Sequence, residues 1–205
     1  GDGDRLVMVD ERGELVDGDQ LLYILARDRF EAGTLTGPIV GTVMSNLGLQ
    51  IALEQLGIEF RRAQVGDRYV LAELRAHAGI LGGETSGHLL CLDKATTGDG
   101  LVAALQVLAV MKRTGSKLSD LASSVKLLPQ VLLNVRTARR IDPDANDAIR
   151  SAREQVESAL GRRGRVVLRA SGTEPVIRVM VEGEDPEEVG AHAERLAECV
   201  RASVS

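Results

Sequence analysis

Aromatic side chains are scarce in this chain of 205 residues, which contains no Trp, two Tyr and two Phe. The four are Tyr23, Phe30, Phe60 and Tyr69. Proteins that bind single-stranded nucleic acid stack the bases on exposed rings, and a sugar site built on stacking also needs rings. The scarcity argues against both kinds of site. We therefore expect a ligand that is held by hydrogen bonds and charge.

Positive charge is also in deficit, since 25 basic and 30 acidic side chains give a formal net charge of −5. Without a long Lys/Arg run, the chain lacks the phosphate-neutralising surface of a duplex-binding protein. No segment approaches the roughly 20 apolar residues that span a bilayer. The first residues show no signal-peptide pattern. We expect a cytoplasmic protein that binds neither nucleic acid nor membrane, and, because residue 1 is not Met, a fragment of a longer protein.

Cysteine is almost absent: Cys91 and Cys199 lie far apart and fit no CxxC pattern. In a cytosolic protein, such a pair is expected to stay reduced.

What is present is an alternation of strand-like and helical segments, which predicts an α/β unit in the first part of the chain. The predicted strands are Leu6 to Val9, Ile39 to Val43, Glu59 to Gln64, Gly79 to Leu81 and Leu89 to Leu92. The predicted helices are Gln20 to Arg29, Leu47 to Leu56, Arg68 to His77, and Leu101 to Met111, the last expected to be mostly buried.

The pattern changes near Leu128-Pro129, which predicts a second, smaller domain of order β-α-β-β-α. Its predicted strands are Val131 to Val135, Arg165 to Ala170 and Val176 to Val181. Asp142-Pro143 and Asp185-Pro186 each read as an N-cap followed by Pro at the first helical position, so that one helix runs to about Leu160 and another closes the chain.

Three segments carry unusual chemistry. The aspartate segment is Gly1-Asp2-Gly3-Asp4-Arg5. Its two carboxylates, spaced by a flexible Gly, can converge on one cation, and hard oxygen ligands favour Mg²⁺ or Ca²⁺. A frayed acidic terminus is the alternative.

The Glu-His segment, Gly82-Gly83-Glu84-Thr85-Ser86-Gly87-His88, lies between two predicted strands. A carboxylate can accept hydrogen bonds from two vicinal sugar hydroxyls. The alternative is a purely structural hairpin turn whose His is hydrogen-bonded within the protein. A zinc site on His88 and Cys91 is weaker, because no second pair of ligands accompanies them.

The Arg-Ser segment, Arg169-Ala170-Ser171-Gly172-Thr173-Glu174-Pro175, is followed by Arg178. Guanidinium groups, hydroxyls and backbone N–H groups could all face one dianion, so this composition favours a phosphate site. A polar turn with arginines on a solvated strand remains the alternative. In Gly66-Asp67-Arg68, we expect Asp67 to cap the next helix, and Arg68 could face a ligand.

In this order, the three segments resemble the metal, sugar and phosphate loops of the α-D-phosphohexomutase superfamily. Several further runs look most like its bacterial phosphoglucosamine mutases: Thr42 to Leu49, Val65 to Val70, Gly82 to Glu84, Thr97 to Leu101 and Arg169 to Asp185. The resemblance covers essentially the whole chain. It implies the end of domain 2 with a partial metal loop at 1–17, a sugar-binding domain 3 at 18–130, and a phosphate-binding domain 4, of the TBP-like α+β type, at 131–205.

By the same resemblance, the whole enzyme would interconvert glucosamine 6-phosphate and glucosamine 1-phosphate through a phosphoserine and a bisphosphate intermediate, with Mg²⁺. Asp2 and Asp4 would bind the metal, and Arg5 would lie beside the phosphoserine. Glu84, Ser86, His88 and Arg68 would bind the sugar, and His88 could also transfer a proton. The phosphate would be bound by Arg169, Ser171, Gly172, Thr173 and Arg178.

The resemblance is incomplete in two places. The first aspartate of the family's metal loop would precede Gly1, and the family's serine loop has no match in this chain. We therefore expect the isolated chain to be inactive and to bind Mg²⁺ poorly. A phosphomannomutase or phosphoglucomutase relative and a non-catalytic sugar-phosphate binding module remain alternatives, and the sequence does not indicate an oligomeric state.

Overall fold

A computed structural model of the protein describes residues 2–137, 142–171 and 174–204. The chain divides into two compact units, one ending at Leu127 and the other beginning at Leu128. Each unit has its own hydrophobic core.

Unit 1 alternates strands and helices as the sequence predicts. Its strands are β1 (Met8–Val9), β2 (Leu15–Val16), β3 (Ile39–Thr42), β4 (Phe60–Ala63), β5 (Leu81–Gly83) and β6 (Leu89–Cys91). Its helices are α1 (Gly18–Glu31), α2 (Leu47–Gln55), α3 (Asp67–Ala76), α4 (Gly100–Thr114) and α5 (Leu118–Ala122).

The main sheet of unit 1 has the strand order β4-β3-β5-β6. Strand β3 is parallel to β4 and β5, and β6 runs antiparallel to β5. The central strand β3 is buried along its whole length, because helices cover both faces of the sheet. Leu21 and Leu25 of α1 belong to the core on one face, and Val70 and Leu74 of α3 to a smaller cluster on the other.

Unit 2 is an antiparallel sheet with helices against one face. Its elements are β7 (Gln130–Arg136), α6 (Asp147–Leu160), β8 (Gly164–Ala170), β9 (Val176–Gly183) and α7 (Pro186–Val204). The strand order is β7-β9-β8. Val135, Ile177 and Val179 pack with residues of α6 and α7 in one core. The predicted fold class, an α/β domain followed by a smaller α+β domain, is confirmed.

Two elements were not predicted. Strand β2 pairs with β1 in a two-stranded antiparallel ribbon, and α5 is a single short helix. Both are so short that no hydrophobic period can be read from their sequences.

Strand β5 lies two residues further along the chain than predicted, so Gly82 and Gly83 belong to the strand and not to a loop. The glycines are needed there for space, since a Cβ on Gly82 would lie 2.7 Å from the Val40 carbonyl oxygen. The irregular part of the Glu-His segment therefore begins at Glu84.

The predicted helix from Asp142 to Leu160 is interrupted. Asp142 caps only a 3-10 turn, Pro143–Ala145, and α6 begins after Asn146. Extended backbone at Asn146 breaks the helix, and its Oδ1 accepts hydrogen bonds from the Ala148 and Ile149 N–H groups at 3.0 and 3.1 Å.

Helix α4 is not mostly buried, which corrects the prediction. Ala103, Val107 and Val110 are buried, while Leu101 and Leu105 are 70% and 56% exposed. The helix is apolar on most of its circumference, but only one of its faces packs on the sheet. Within the described ranges, no helix is long and apolar enough to cross a membrane.

Candidate functional site

The aspartate segment, described from Asp2 onward, is fastened to unit 1 by main-chain hydrogen bonds. The Gly100 N–H donates to the Gly3 carbonyl oxygen, and the Leu6 N–H donates to the Gly87 carbonyl oxygen, both at 2.9 Å. The segment is therefore not a frayed terminus, and it lies beside the Glu-His segment.

Glycines make this close approach possible. A Cβ on Gly87 would lie 2.0 Å from the Leu6 carbonyl oxygen, and a Cβ on Gly100 would lie 2.6 Å from that of Arg5. Both contacts are with rigid backbone, so the two glycines have a steric role. The run Thr97 to Leu101, which resembles a family motif, thus supplies a wall of the site.

Asp4 and His88 form the contact between side chains of the two segments. His88 Nδ1 lies 3.1 Å from Asp4 Oδ2, and His88 is only 6% exposed. A side-chain hydrogen bond shared with Asp2 is the largest cause that holds the pKa of Asp4 below its ordinary value; desolvation opposes it, and the hydrogen bond and charge of His88 add to it. The carboxyl groups of Asp2 and Asp4 therefore lie close to each other.

His88 Nε2 is buried and has no hydrogen-bond partner among the described residues. Gly98 covers it, since a Cβ there would lie 2.1 Å from Nε2. The ring therefore reaches Asp4 with one nitrogen, while the other is closed off from solvent.

The aspartate segment offers the type of oxygen ligand that Mg²⁺ prefers, but too few of them among the described residues. Asp2 and Asp4 offer hard carboxylate oxygens, yet the described residues hold no group of three His, Cys, Asp or Glu side chains placed to bind a metal. The same finding leaves the zinc alternative on His88 and Cys91 without a third ligand.

The Glu-His segment turns between antiparallel strands β5 and β6, so the hairpin interpretation of its backbone is correct. Within the turn, the Glu84 N–H donates to the His88 carbonyl oxygen at 3.0 Å. Glu84 Oε1 accepts from the Gly66 N–H at 3.0 Å, and Ser86 is exposed. A ligand could therefore reach a fixed carboxylate beside a free hydroxyl.

The Gly66-Asp67-Arg68 run does not behave as predicted. Gly66, in a positive-φ conformation, is the N-cap of α3, and Asp67 is the first helical residue, whose Oδ1 accepts from the N–H of the next residue, Arg68, at 2.7 Å. Arg68 is exposed and stacks on the Tyr69 ring, with its Cζ 4.5 Å from the ring centroid. The contribution of this run to the site is the Gly66 N–H.

In unit 2, the two arginines of the predicted phosphate site face each other. Arg169 on β8 pairs with Arg178 on β9, and Asn134 on β7 pairs with Arg178 from the other side. Directly paired residues share a sheet face. Three polar side chains thus line one face across all three strands. Asn134 was not predicted, because only the register reveals it.

Arg169 has a buried guanidinium nitrogen and a like charge beside it. Its Nε is buried without a hydrogen-bond partner among the described residues. Burial, and then the charge of Arg178, lowers its pKa from the ordinary value. Paired like charges destabilise a sheet, and a bound dianion would reverse that effect.

In the described part of the Arg-Ser segment, hydrogen bonds join the two ends of the turn between β8 and β9. The Ser171 N–H donates to the Val176 carbonyl oxygen at 2.8 Å, and Ser171 Oγ accepts from the Glu174 N–H at 3.4 Å. Ser171 is buried. Gly172 and Thr173, also predicted to bind phosphate, lie outside the described residues.

Residues 17–128 match the family domain "Phosphoglucomutase/phosphomannomutase, alpha/beta/alpha domain III", and residues 132–199 match "Phosphoglucomutase/phosphomannomutase, C-terminal domain". The phosphoglucosamine mutase of Salmonella paratyphi A is 58% identical over 203 residues, which are 98% of this chain and 46% of that protein. The chain thus spans about half the length of the curated relatives it matches.

Solved structures share the fold. The N-acetylphosphoglucosamine mutase of Aspergillus fumigatus, crystallised with GlcNAc-6P and magnesium, has a TM-score of 0.84 at 22% identity over 100% of this chain and 48% of its own. A phosphoglucomutase/phosphomannomutase family protein from Burkholderia thailandensis has a TM-score of 0.76 at 19% identity, over 99% of this chain and 45% of its own. With both of its units matched, the chain belongs to the phosphoglucomutase/phosphomannomutase family.

Proposed function

We propose that this chain is the substrate-binding part of a phosphoglucosamine mutase, which interconverts glucosamine 6-phosphate and glucosamine 1-phosphate. The observation that carries the proposal is the junction of the aspartate and Glu-His segments, where Asp4 and His88 are in contact 3.1 Å apart. It supports the proposal because the aspartate segment, with carboxylates suited to a cation, contacts the segment that carries Glu84 and Ser86, which are suited to sugar hydroxyls. The 58% identity to a phosphoglucosamine mutase favours glucosamine over mannose or glucose.

Each predicted residue has a role in this proposal. Glu84 accepts hydrogen bonds from the sugar hydroxyls, Ser86 both donates and accepts, and Arg68 is assigned to the same ligand although it contacts Tyr69 in the free chain. Arg5, which is exposed, is assigned to the neighbourhood of a phosphoserine supplied from outside the matched region. Magnesium held by Asp2 and Asp4 would offset the negative charge of a transferring phosphoryl group.

The geometry of His88 favours a role in orienting Asp4 over a role in proton transfer. Its Nδ1 orients Asp4, whereas its buried Nε2 reaches a ligand only if the backbone at Gly98 opens. We assign His88 first to the orientation of Asp4. Proton transfer by His88 stays a prediction, as does the cytoplasmic location.

Arg169, Arg178 and Ser171 hold the phosphate that is not reacting, together with Gly172 and Thr173. A guanidinium pair binds a dianion by charge-assisted hydrogen bonds and fixes its orientation. In this proposal, the Glu-His segment recognises the hydroxyls of the ligand, and the Arg-Ser segment with Arg178 recognises its phosphate.

The test is calorimetric titration of the chain with glucosamine 6-phosphate and, separately, with the phosphates of mannose and glucose. Arg169→Gln should weaken binding at least about tenfold, as expected for the loss of a charge-assisted contact. Arg195→Gln, the same charge change on α7, is the control and should leave the Kd unchanged. Preference for mannose phosphate would overturn the choice of substrate.

A turnover assay tests the other half of the proposal. The isolated chain should convert no glucosamine 6-phosphate, because the nucleophilic serine loop has no match in it. Measurable conversion would show that the assignment of the nucleophile is wrong.

A further inference from the structure

Asp19 is a buried carboxylate that the proposed function does not use. It lies in the first turn of α1 and is 0% exposed. Its Oδ2 accepts hydrogen bonds from the Asn46 N–H at 2.8 Å and from the Thr85 hydroxyl at 2.9 Å. A buried carboxylate is costly unless it is hydrogen-bonded, so this one is tied to both partners.

One of those partners belongs to the Glu-His segment. Thr85 lies between Glu84 and Ser86, the two residues assigned to the sugar hydroxyls. Its carbonyl oxygen accepts a hydrogen bond from the Gly18 N–H at 3.1 Å, and its hydroxyl donates to Asp19. Two consecutive residues of α1 therefore hold Thr85 by its backbone and by its side chain.

The fit between α1 and the turn is tight. A Cβ on Gly18 would lie 2.1 Å from the Glu84 carbonyl oxygen. The Glu84 side chain is held separately, at its far end, by the Gly66 N–H. The turn is thus held at Thr85 by α1, while the carboxylate of Glu84 is held by the Gly66 N–H.

The other partner belongs to the turn that follows β3. Asn46 caps α2, its Oδ1 accepting from the Gly48 N–H at 2.8 Å. Arg62 steadies the same turn by donating to the Thr42 and Ser45 carbonyl oxygens at 3.0 and 2.6 Å. Asp19 therefore joins the Glu-His segment to the hydrogen-bonded turn between β3 and α2.

We propose that Asp19 is a positioning residue for sugar-phosphate binding: by holding the Thr85 hydroxyl, it fixes the backbone from which Glu84 and Ser86 reach the ligand. The role in binding rests on the proposed function, whereas the effect on the turn does not.

A carboxylate suits this position better than an amide. Its Oδ1 is buried and has no partner among the described residues. In an Asp19→Asn variant, an NH₂ group would occupy that position or displace the oxygen that serves Asn46 and Thr85. Either arrangement puts a buried donor where the carboxylate, which also accepts from Ser45, offers only acceptors, and that is costly.

The experiment distinguishes the effect of the Thr85 hydroxyl as a hydrogen-bond donor from the effect of the side chain's shape. Thr85→Val keeps the shape and removes the donor, while Thr85→Ser keeps the donor and removes a methyl group. We expect Thr85→Val and Asp19→Asn each to raise the Kd for glucosamine 6-phosphate about tenfold, and Thr85→Ser to stay within about twofold of the parent protein. The double variant should bind no more weakly than the weaker single variant, because both changes break the same link.

Ser119→Ala is the matched control. Its hydroxyl donates to Glu11 Oε1 at 2.6 Å, away from the Glu-His segment. The variant loses a comparable hydroxyl-to-carboxylate hydrogen bond and should bind glucosamine 6-phosphate as the parent protein does.

A second measurement needs no ligand. In amide NMR spectra of the free chain, Thr85→Val and Asp19→Asn should both shift the resonances of Glu84 to Gly87, and Thr85→Ser should shift them clearly less than Thr85→Val. If Thr85→Ser is as harmful as Thr85→Val, or if neither Thr85→Val nor Asp19→Asn moves these resonances, the positioning role is wrong. If the parent chain binds no sugar phosphate while the spectra behave as expected, the proposed function fails and the link from Asp19 to the turn stands.

Discussion

At the scale of single residues, Asp19 titrates in a range that exposed aspartates do not reach. Burial is the largest cause, and it raises the pKa to about 6 from the ordinary 3.8, although hydrogen bonds from Asn46, Thr85 and Ser45 oppose it. Asp17 adds a smaller repulsion of the same sign as burial. Between pH 3.8 and 6, the folded protein therefore binds a proton that the unfolded chain has released.

The free energy of unfolding must then fall as the pH rises through this window, because the folded state binds more protons there. An Asp19→Asn variant lacks the effect. We expect its free energy of unfolding, minus that of the parent protein, to rise by an amount on the order of 3 kcal/mol between pH 4 and 7, the equivalent of the pKa difference. Urea unfolding of both proteins at several pH values measures it.

Asp93→Asn is the control for this pH profile. Burial raises the pKa of Asp93, but Lys94 and Arg29 outweigh burial and hold it below its ordinary value. Its stabilisation is lost only at pH values below that range, so its difference curve should be nearly flat from pH 4 to 7. A flat curve for Asp19→Asn as well would contradict the raised pKa.

The residues that carry the site were only partly predictable. Asp4, Glu84 and His88 belong to contiguous runs whose composition can be read directly. Asp19 looks in the sequence like an ordinary acidic residue in a first helical turn, and its partner Thr85 lies 66 residues further along. No local pattern encodes such a contact, so only the fold could reveal it.

At the scale of elements, two helical glycines look alike in sequence and differ in their surroundings. A Cβ on Gly190 in α7 would meet nothing within 4 Å, whereas a Cβ on Gly48 in α2 would lie 2.1 Å from the Lys126 carbonyl oxygen. The first glycine is a cost to its helix, and the second is required by packing.

Gly190→Ala should therefore stabilise the protein by about 0.5–1 kcal/mol, through the better helix propensity of Ala. Gly48→Ala should destabilise it, since backbone must move to admit the methyl group. Thermal unfolding of the two variants gives the comparison. Equal effects would mean that the environment of Gly48 is looser than described.

Helix α4 provides a second comparison. Leu105 is 56% exposed and Val107 is 0% exposed. We expect Leu105→Lys to change the free energy of unfolding by less than about 0.5 kcal/mol, and Val107→Lys to cost about 4 kcal/mol or more, because it buries an unpaired charge. Chemical denaturation measures both. A large loss in Leu105→Lys would contradict the exposure of that face.

The elements of this fold could be predicted where they are long and periodic. Asp185-Pro186 predicted the start of α7. Helix α1, in contrast, begins at Gly18, two residues before its predicted start, because the capping box of Asp17 and Gln20 was not recognised in the sequence. Strand β2 and helix α5 gave no signal because two and five residues cannot display a period. The near-continuous apolar surface of α4 suggested full burial, but apolar composition does not say which face meets the sheet.

At the scale of the whole molecule, the described residues of unit 2 form a core that shares no residue with the two hydrophobic clusters of unit 1. The core of unit 2 includes Val135, Ile149, Val179 and Leu196, and it is formed entirely after Leu127. A unit with its own core can fold alone if it buries enough surface, and about 78 residues suffice for many small domains.

Residues 128–205, produced alone, should therefore unfold cooperatively and keep the helix content of unit 2. Circular dichroism during heating measures both properties. As a control, Val179→Asp, which buries a charge in this core, should abolish the transition. A non-cooperative melt of the unchanged fragment would show that unit 2 needs the rest of the chain.

The backbone attachment of the aspartate segment should be visible in the hydrogen exchange of two amide groups. The Leu6 and Gly100 amide protons are held by carbonyl groups of Gly87 and Gly3, so neither can meet solvent while the segment is in place. Both should be protected from exchange with deuterium by the free energy needed to lift that segment, and by nearly equal amounts if it lifts as one piece. That shared free energy would then set the fraction of time that the two carboxylates spend beside the Glu84 turn.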